Sequence, residues 1–92
     1  MGFKVTYIIV AENDGGFSII STNLPGCCSQ GESRFEALMN LTEAFKGVAK
    51  VYLEELGTIP FGDTKVDNWV REMYPEKQLE EGEMIVELED FD

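Results

Sequence analysis

The chain has no histidine, and this absence removes several kinds of site at once. Its two cysteines, Cys27 and Cys28, are adjacent. A disulfide between neighbouring residues would strain the backbone, and two cysteines without histidine do not form a zinc-binding set. A nucleophilic cysteine also normally needs a histidine as its base. The sequence therefore predicts one packed thiol and one surface thiol at the start of a strand, with no metal ion and no cofactor.

Basic residues are scarce as well. Seven lysines and arginines stand against eighteen acidic residues, so the formal net charge is −11, of which residues 47–92 carry −9. Nucleic acids and anionic membranes are bound through clusters of Lys and Arg. The charge balance therefore argues against direct contact with nucleic acid or with a membrane, and it favours a basic protein partner.

Long apolar runs are also missing. No run approaches the roughly 20 residues that span a membrane, and no basic segment followed by an apolar stretch marks a secretory signal. We therefore expect a cytoplasmic protein.

A single domain of 92 residues buries only about 60–65% of the surface of its unfolded chain, so its core is thin and self-association would help to stabilise it.

Residues 3–30 show the pattern of three strands. Runs at 3–11, 16–22 and about 27–30 place successive side chains on opposite faces of a sheet. Two turns separate these runs, a glycine pair that suits a tight hairpin and a proline followed by glycine. A glycine-rich ligand loop is the alternative, but the spacing favours structural turns, formed by Asp14, Gly15, Gly16, Leu24, Pro25 and Gly26.

A long helix follows the third strand. Ser33 and Glu36 form a capping box, which predicts that the helix begins at about Arg34. Gly57 predicts that it ends at about residue 56. Gly47 lies inside this helix and could mark a close approach to the sheet or to a partner. The predicted inward-facing positions are spaced by three and four: Leu38, Leu41, Phe45, Val48, Tyr52 and Leu56.

The remaining residues predict a short helix and one more strand. The short helix ends before Pro75, and its apolar positions are Val66, Trp69, Val70 and Met73. The last strand runs from Glu83 to Leu88. Three strands run up, down and up, and the long helix returns down, so the last strand should lie parallel to the first through a right-handed crossover.

The predicted fold class is α+β with the order βββαβ, an antiparallel three-stranded meander followed by a crossover helix and a parallel last strand. Because the long helix covers one face of this sheet, the other face is expected to stay bare. An uncovered apolar sheet surface usually binds a partner or a second subunit. We therefore expect a homo-oligomer, a dimer or larger.

The succession of motifs over residues 3 to about 61 resembles the HicB antitoxin family. The residues that carry the resemblance are Glu12-x-Asp14-Gly15-Gly16-Phe17-Ser18, Leu24-Pro25-Gly26-Cys27-x-Ser29-Gln30-Gly31-Glu32-Ser33 and Glu36-Ala37-Leu38-x-Asn40-x-x-Glu43-Ala44. The resemblance implies a partial RNase H fold and a dimer or larger assembly. It also implies a partner, HicA, a small basic endonuclease toxin that cleaves mRNA and is blocked by HicB.

The chain departs from the family after residue 61. We expect one domain over residues 1–92, in which 1–61 is the family core, 62–78 an insertion with the short helix, and 79–92 the last strand and an acidic tail. Many HicB proteins carry a C-terminal domain that binds DNA, but nothing basic lies beyond Lys77 here. Phosphate contacts need basic side chains, so the sequence predicts a short member without operator binding.

The resemblance to RNase H also raises metal-dependent nuclease chemistry as an alternative. Two-metal hydrolysis needs converging carboxylates, and the first strand has no acid before Glu12. The acids concentrate instead near the C-terminus, at Glu80, Glu81, Glu83, Glu87, Glu89 and Asp90. We predict that these six residues bind a partner, and the alternative is a solvated sheet edge that discourages aggregation.

The sequence therefore predicts a non-catalytic protein-binding domain, an antitoxin-like inhibitor of a basic HicA-type toxin. The acidic half would steer the partner, and apolar sheet surface would supply the buried contact. An orphan HicB-like homo-oligomer without a toxin is the second hypothesis, and a nuclease is the third. A neighbouring gene for a small basic protein would favour the first over the second.

Overall fold

The chain folds into a four-stranded sheet with a helix on each face. The computed structural model describes residues 2–62 and 66–88, apart from the side chains of residues 66, 67 and 69. Its elements are β1 (Gly2–Ala11), β2 (Phe17–Ser21), β3 (Cys28–Gly31), α1 (Arg34–Leu56), α2 (Val66–Met73), a 3₁₀ turn (Glu76–Gln78) and β4 (Leu79–Glu87). The spatial order of the strands is β3-β2-β1-β4, and all neighbours are antiparallel.

The two turns of the meander have glycines in left-handed conformations. Gly15, between β1 and β2, has φ 102°, and Gly26, before β3, has φ 80°. Glycine reaches this region without the steric cost that a Cβ would bring. The first turn sets a register in which Ile8 lies opposite Ile20. The long predicted strands are therefore present, and the predicted turn residues lie between them.

Helix α1 begins and ends where its capping residues predict. The Ser33 hydroxyl accepts the N–H of Glu36 at 3.0 Å, and the Glu36 carboxylate accepts the N–H of Glu32 at 3.2 Å. Gly57, with φ 75°, donates its N–H to the Leu53 carbonyl at 3.0 Å. The fully buried side chains are spaced by four, and two of them are small: Ala37, Leu41, Phe45 and Ala49.

The predicted parallel last strand is wrong. β4 runs antiparallel to β1, with Leu79 opposite Val10 and Glu87 opposite Gly2. The reason is α2, which ends before Pro75 as predicted but also reverses the chain direction once more. With this additional reversal, β4 enters the sheet from the opposite end. It also begins at Leu79, four residues before the predicted start.

The prediction of a bare apolar sheet face is also wrong. Helix α1 covers one face, above a core that includes Val5, Ile9, Ile19 and Val86. On the opposite face, Val70 of α2 packs against Ile8 and Val10, and the neighbours around them are Ile20, Tyr74 and Leu79. The apolar end of this face is therefore covered by the chain itself. Self-association is therefore no longer supported by a bare apolar face, and it stays a prediction that rests on the thin core of a small domain.

Most of the face that α2 leaves open is polar, with Ile85 of β4 as an exposed apolar exception. The hydroxyls of Thr6 and Thr22 lie 2.6 Å apart, and the Lys4 ammonium lies 3.1 Å from the Glu83 carboxylate. The Asn23 side chain accepts the N–H of Thr6 at 3.2 Å and donates to the carbonyl of Lys4 at 2.9 Å. Because these polar groups are paired, this part of the sheet needs no apolar cover.

Two glycines hold elements close together, and neither is the one expected. A Cβ on Gly31 would lie 2.8 Å from the carbonyl carbon of Glu36, and a Cβ on Gly82 would lie 2.5 Å from the ring of Tyr7. A close approach of Gly47 to the sheet is wrong, since a Cβ there meets nothing within 4 Å, and a close approach to a partner stays a prediction. β3 therefore packs directly against the first turn of α1.

Candidate partner-binding surface on the fourth strand

Four of the six acids predicted to bind a partner lie on β4, at Glu80, Glu81, Glu83 and Glu87. Glu89 and Asp90 lie outside the described residues. Side chains alternate along a strand, so one of the four lies on the α1 face and the other three lie on the α2 face. The fold therefore brings three of the predicted residues together on one face of an edge strand.

Glu80 is the acid on the α1 face, and Arg34 binds it. The Arg34 guanidinium donates two hydrogen bonds to the Glu80 carboxylate, both of 2.8 Å. These bonds lower the pKa of the Glu80 carboxyl below its ordinary value. The same guanidinium lies 4.8 Å from the centre of the Phe17 ring. Arg34 thus joins the start of α1 to β2 and β4, so Glu80 belongs to a contact within the fold.

The acids on the α2 face are more open. Glu81 pairs with Arg71 of α2, and Glu83 pairs with Lys4 of β1. The side chains of Lys4 and Glu83 are 59% and 63% exposed. Exposed ion pairs contribute little stability and exchange readily with other charges. The carboxylates of this face are therefore accessible to a cationic partner.

Ile85 is an exposed apolar residue at the centre of the same face. It lies between Glu83 and Glu87, and it is 65% exposed. Sequence reasoning assigned the acids to a partner but missed Ile85, although the alternation of residues 83–88 already places it on their face. Apolar contact flanked by charge is the usual composition of a protein-binding surface.

A second acidic surface lies at the opposite edge of the sheet. A groove of about 580 Å³ separates the β1–β2 turn from the start of α1, and its lining includes Glu12, Asp14, Gly16, Phe17, Glu32 and Glu36. The Glu12 carboxylate accepts hydrogen bonds from the hydroxyls of Ser18 at 3.0 Å and Tyr74 at 3.3 Å, and its charge raises the pKa of Tyr74. Within residues 2–62 and 66–88, no cluster of His, Cys, Asp or Glu is placed to hold a metal ion.

The two cysteines occupy different environments. Cys27 is buried, and its burial raises the pKa of its thiol to about 11, whereas Cys28 is exposed. The reactive species of a cysteine is its thiolate. This agrees with the predicted pair of one packed and one surface thiol.

We expect one thiol of the folded protein to react with a thiol reagent at pH 8, and both thiols to react after denaturation. The expected reactive residue is Cys28, because Cys27 is buried and stays protonated at that pH. Counting labels by mass spectrometry gives the number directly. A Cys28→Ser variant should show no native labelling, and fast labelling of that variant would contradict the placement of Cys27.

Comparisons with known proteins agree with this fold. The N-terminal domain of the Burkholderia pseudomallei antitoxin HicB has a solved structure that superposes with a TM-score of 0.63 at 20% identity, over 95% of this chain and 99% of that one. The fold is therefore that of a HicB N-terminal domain.

Neither α1 nor α2, the helices of the described segments, is long and apolar enough to cross a membrane.

Sequence comparison places the chain in a family. UPF0150 protein Ta0767 of Thermoplasma acidophilum is 40% identical over 53 residues, 58% of this chain and 71% of that protein. UPF0150 protein ssr1765 of Synechocystis sp. is 37% identical over 54 residues, 59% of this chain and 63% of that protein. No protein-family model matches the chain. The chain belongs to the UPF0150 family of HicB-like proteins, which confirms the resemblance seen in its motifs.

Proposed function

We propose that this chain is a non-catalytic, antitoxin-like domain that binds and inhibits a small basic HicA-type toxin, an enzyme that cleaves mRNA. The observation that carries the proposal is the HicB antitoxin fold along nearly the whole chain, combined with a strongly acidic edge strand. The site of action would be the cytoplasm, where such a toxin meets its RNA.

Charge is the first part of the mechanism. A protein of net charge −11 attracts a cationic partner over a distance comparable to the Debye length, which is about 8–10 Å at moderate salt. Attraction of this kind raises the rate of association more than the final affinity. A bound acidic domain would then occupy the cationic surface that the toxin uses to hold RNA.

The experiment mixes the purified chain with the HicA-type toxin that the proposal requires, sought as a small basic protein encoded beside the gene of this chain, and follows RNA cleavage. We expect cleavage to stop at equimolar protein, and binding to weaken as salt rises. If that protein cleaves RNA equally well with and without the chain, the proposal is wrong. Sedimentation of the mixture reports the complex independently of cleavage.

A charge-reversal variant tests the acidic face of β4. Changing Glu81, Glu83 and Glu87 to Lys, and leaving Glu80 in its contact with Arg34, is expected to slow association about tenfold or more at low salt and to flatten its salt dependence. The matched control reverses three exposed acids on α1, Glu43, Glu54 and Glu55, which changes the net charge equally. Equal effects of the two variants would leave only net charge as the cause and would contradict a role for β4.

A further inference from the structure

The outer side of α1 carries large apolar side chains near both of its ends. Phe35 and Met39, in the first two turns, are 71% and 54% exposed, and Leu56, the last residue of the helix, is 61% exposed. At about 100° of rotation per residue, the three lie within about 100° of one another around the helix axis. Single exposed apolar residues need no explanation, whereas several on one side of a helix indicate a contact surface.

The middle of the same side carries two lysines, Lys46 and Lys50. Both are exposed, and within residues 2–62 and 66–88 neither forms an ion pair. Like charges four residues apart destabilise a helix slightly. Glu43, which is also exposed, precedes them on this side. The outer side of α1 therefore has an acid just before its centre and two bases just after it.

The spacing of these residues is that of a seam between two helices. Met39, Glu43, Lys46 and Lys50 follow one another by four, three and four residues. This heptad spacing keeps one side of a helix directed at a partner helix. α1 has 23 residues, and a helix of that length extends about 35 Å, which is enough for three heptads.

A second copy of α1 in antiparallel orientation supplies the complementary charges. When the pair is centred between residues 44 and 45, residues at equal distances from the centre lie opposite each other. Glu43 of each copy then lies opposite Lys46 of the other, so the same ionic contact forms twice, as a two-fold axis requires. A parallel pair would instead place Lys46 on Lys46 and Lys50 on Lys50.

The apolar ends of the helix also meet in the antiparallel pair. Met39 lies opposite Lys50 of the other copy, and the aliphatic stem of a lysine can cover an apolar neighbour while its ammonium stays in water. Phe35 lies within one turn of Leu56 of the other copy, at each end of the pair. Each copy thus covers the exposed apolar residues of the other.

The acidic face of β4 in a second copy is the competing partner for the lysines of α1. That face lies on the side of the sheet opposite α1, and two of its acids, Glu81 and Glu83, are paired within their own chain. A contact between opposite sides of the molecule would join copies head to tail and would not close at two. The antiparallel helix pair closes as a dimer, so the size of the assembly separates the two arrangements.

We propose that the outer side of α1 is a self-association surface, on which two copies pair antiparallel with Glu43 of each opposite Lys46 of the other. Exposed ion pairs contribute little and the chain is strongly acidic, so we expect a Kd on the order of 0.1–1 mM. The chain is then a monomer at micromolar concentration. The inference is independent of the proposed function, because the acidic face of β4 stays open on the other side of the sheet.

The test is sedimentation equilibrium of the full chain from about 0.01 to 1 mM at moderate salt, where association appears as a dependence on protein concentration. We expect a monomer–dimer equilibrium. Glu43→Lys and Lys46→Glu should each weaken it about fivefold or more, because each places like charges opposite each other twice. The E43K/K46E double variant should restore it to within about twofold of the parent protein.

Glu55→Lys is the matched control, because it changes the net charge as Glu43→Lys does. Glu55 is exposed and lies about 120° from Glu43 around the helix, outside the seam. A lower net charge reduces general repulsion, so Glu55→Lys should leave the dimer unchanged or strengthen it. Circular dichroism checks that each variant is folded.

Three results would overturn the assignment to α1: a chain that stays monomeric at 1 mM, assemblies that grow beyond two copies, or equal effects of Glu43→Lys and Glu55→Lys. None of them bears on the inhibition of a basic toxin. A dimer that fails to inhibit such a toxin would refute the antitoxin role alone, and a strict monomer that inhibits it would refute the helix pair alone.

Discussion

Replacing Gly31 with alanine is expected to destabilise the protein by about 1–3 kcal/mol, the range of overpacked core substitutions. A Cβ at this position would lie 2.8 Å from the carbonyl carbon of Glu36 and 3.0 Å from the Cα of Ala37. These are backbone atoms of α1, so no side chain can rotate away. Either β3 or the first turn of α1 must move, and that shift would strain the hydrogen bond from Asn40 to Gln30. Urea denaturation followed by circular dichroism measures the loss.

Gly47→Ala is the matched control for this substitution. Gly47 lies in the middle of α1 and is exposed to solvent, with open space where its Cβ would be. Alanine is favoured over glycine in a helix by up to about 1 kcal/mol, so this variant should be more stable than the parent protein. A change of 1 kcal/mol shifts Tm by roughly 4–8 °C in a domain of this size. A Gly31→Ala variant as stable as the Gly47→Ala variant would show that β3 and α1 are not in tight contact.

The contrast between Gly31 and Gly47 shows why the sequence predicts some features of this fold and not others. Both bounds of α1 follow from local chemistry, because Ser33 caps its own next turn and Gly57 bonds back to Leu53. A glycine needed for close approach has no such local signature. A Cβ would meet the backbone of α1 at Gly31 and open space at Gly47, and this difference is a tertiary property.

The direction of β4 could not be predicted from the sequence, again because it depends on tertiary contacts. An eight-residue helix such as α2 is not stable alone, and its place is decided by tertiary packing. Val70 packs on Ile8 and Val10, residues about sixty positions earlier in the chain. Periodicity indicated that the short helix exists, but not that it crosses the second face of the sheet and reverses the chain.

The sequence predicted which acidic residues form the candidate surface, but not how the fold arranges them. The acids of β4 stand out in the sequence, yet Arg34 lies 46 residues before Glu80, and nothing local links the two. The importance of Ile85 depends on β4 being an edge strand, and the expected parallel topology left its neighbours undefined. A local acidic pattern therefore indicated the region, and the sheet order supplied its geometry.

The largest loss of stability is expected for Phe45→Ala, at about 3–5 kcal/mol. Phe45 is fully buried, and its ring centre lies 6.1 Å from the ring centres of both Phe3 and Phe61. The three rings join β1, α1 and the segment after α1. A small domain has a total stability of about 5–15 kcal/mol, so one such cavity removes a large share of it. Urea denaturation measures the effect, and Phe45→Leu, which keeps an apolar side chain and leaves a smaller cavity, serves if the alanine variant does not fold.

Phe35→Ala is the matched control, because the same residue type on the same helix lies in the opposite environment. Phe35 is 71% exposed on the outer side of α1, so its removal should change stability by no more than about 0.5 kcal/mol. The difference between the two variants measures burial, since helix propensity and residue size are matched. If Phe35→Ala proved as damaging as Phe45→Ala, the outer side of α1 would have to be covered in solution. The concentration dependence of Tm would then identify a second copy as the cover, since only an assembly makes Tm depend on protein concentration.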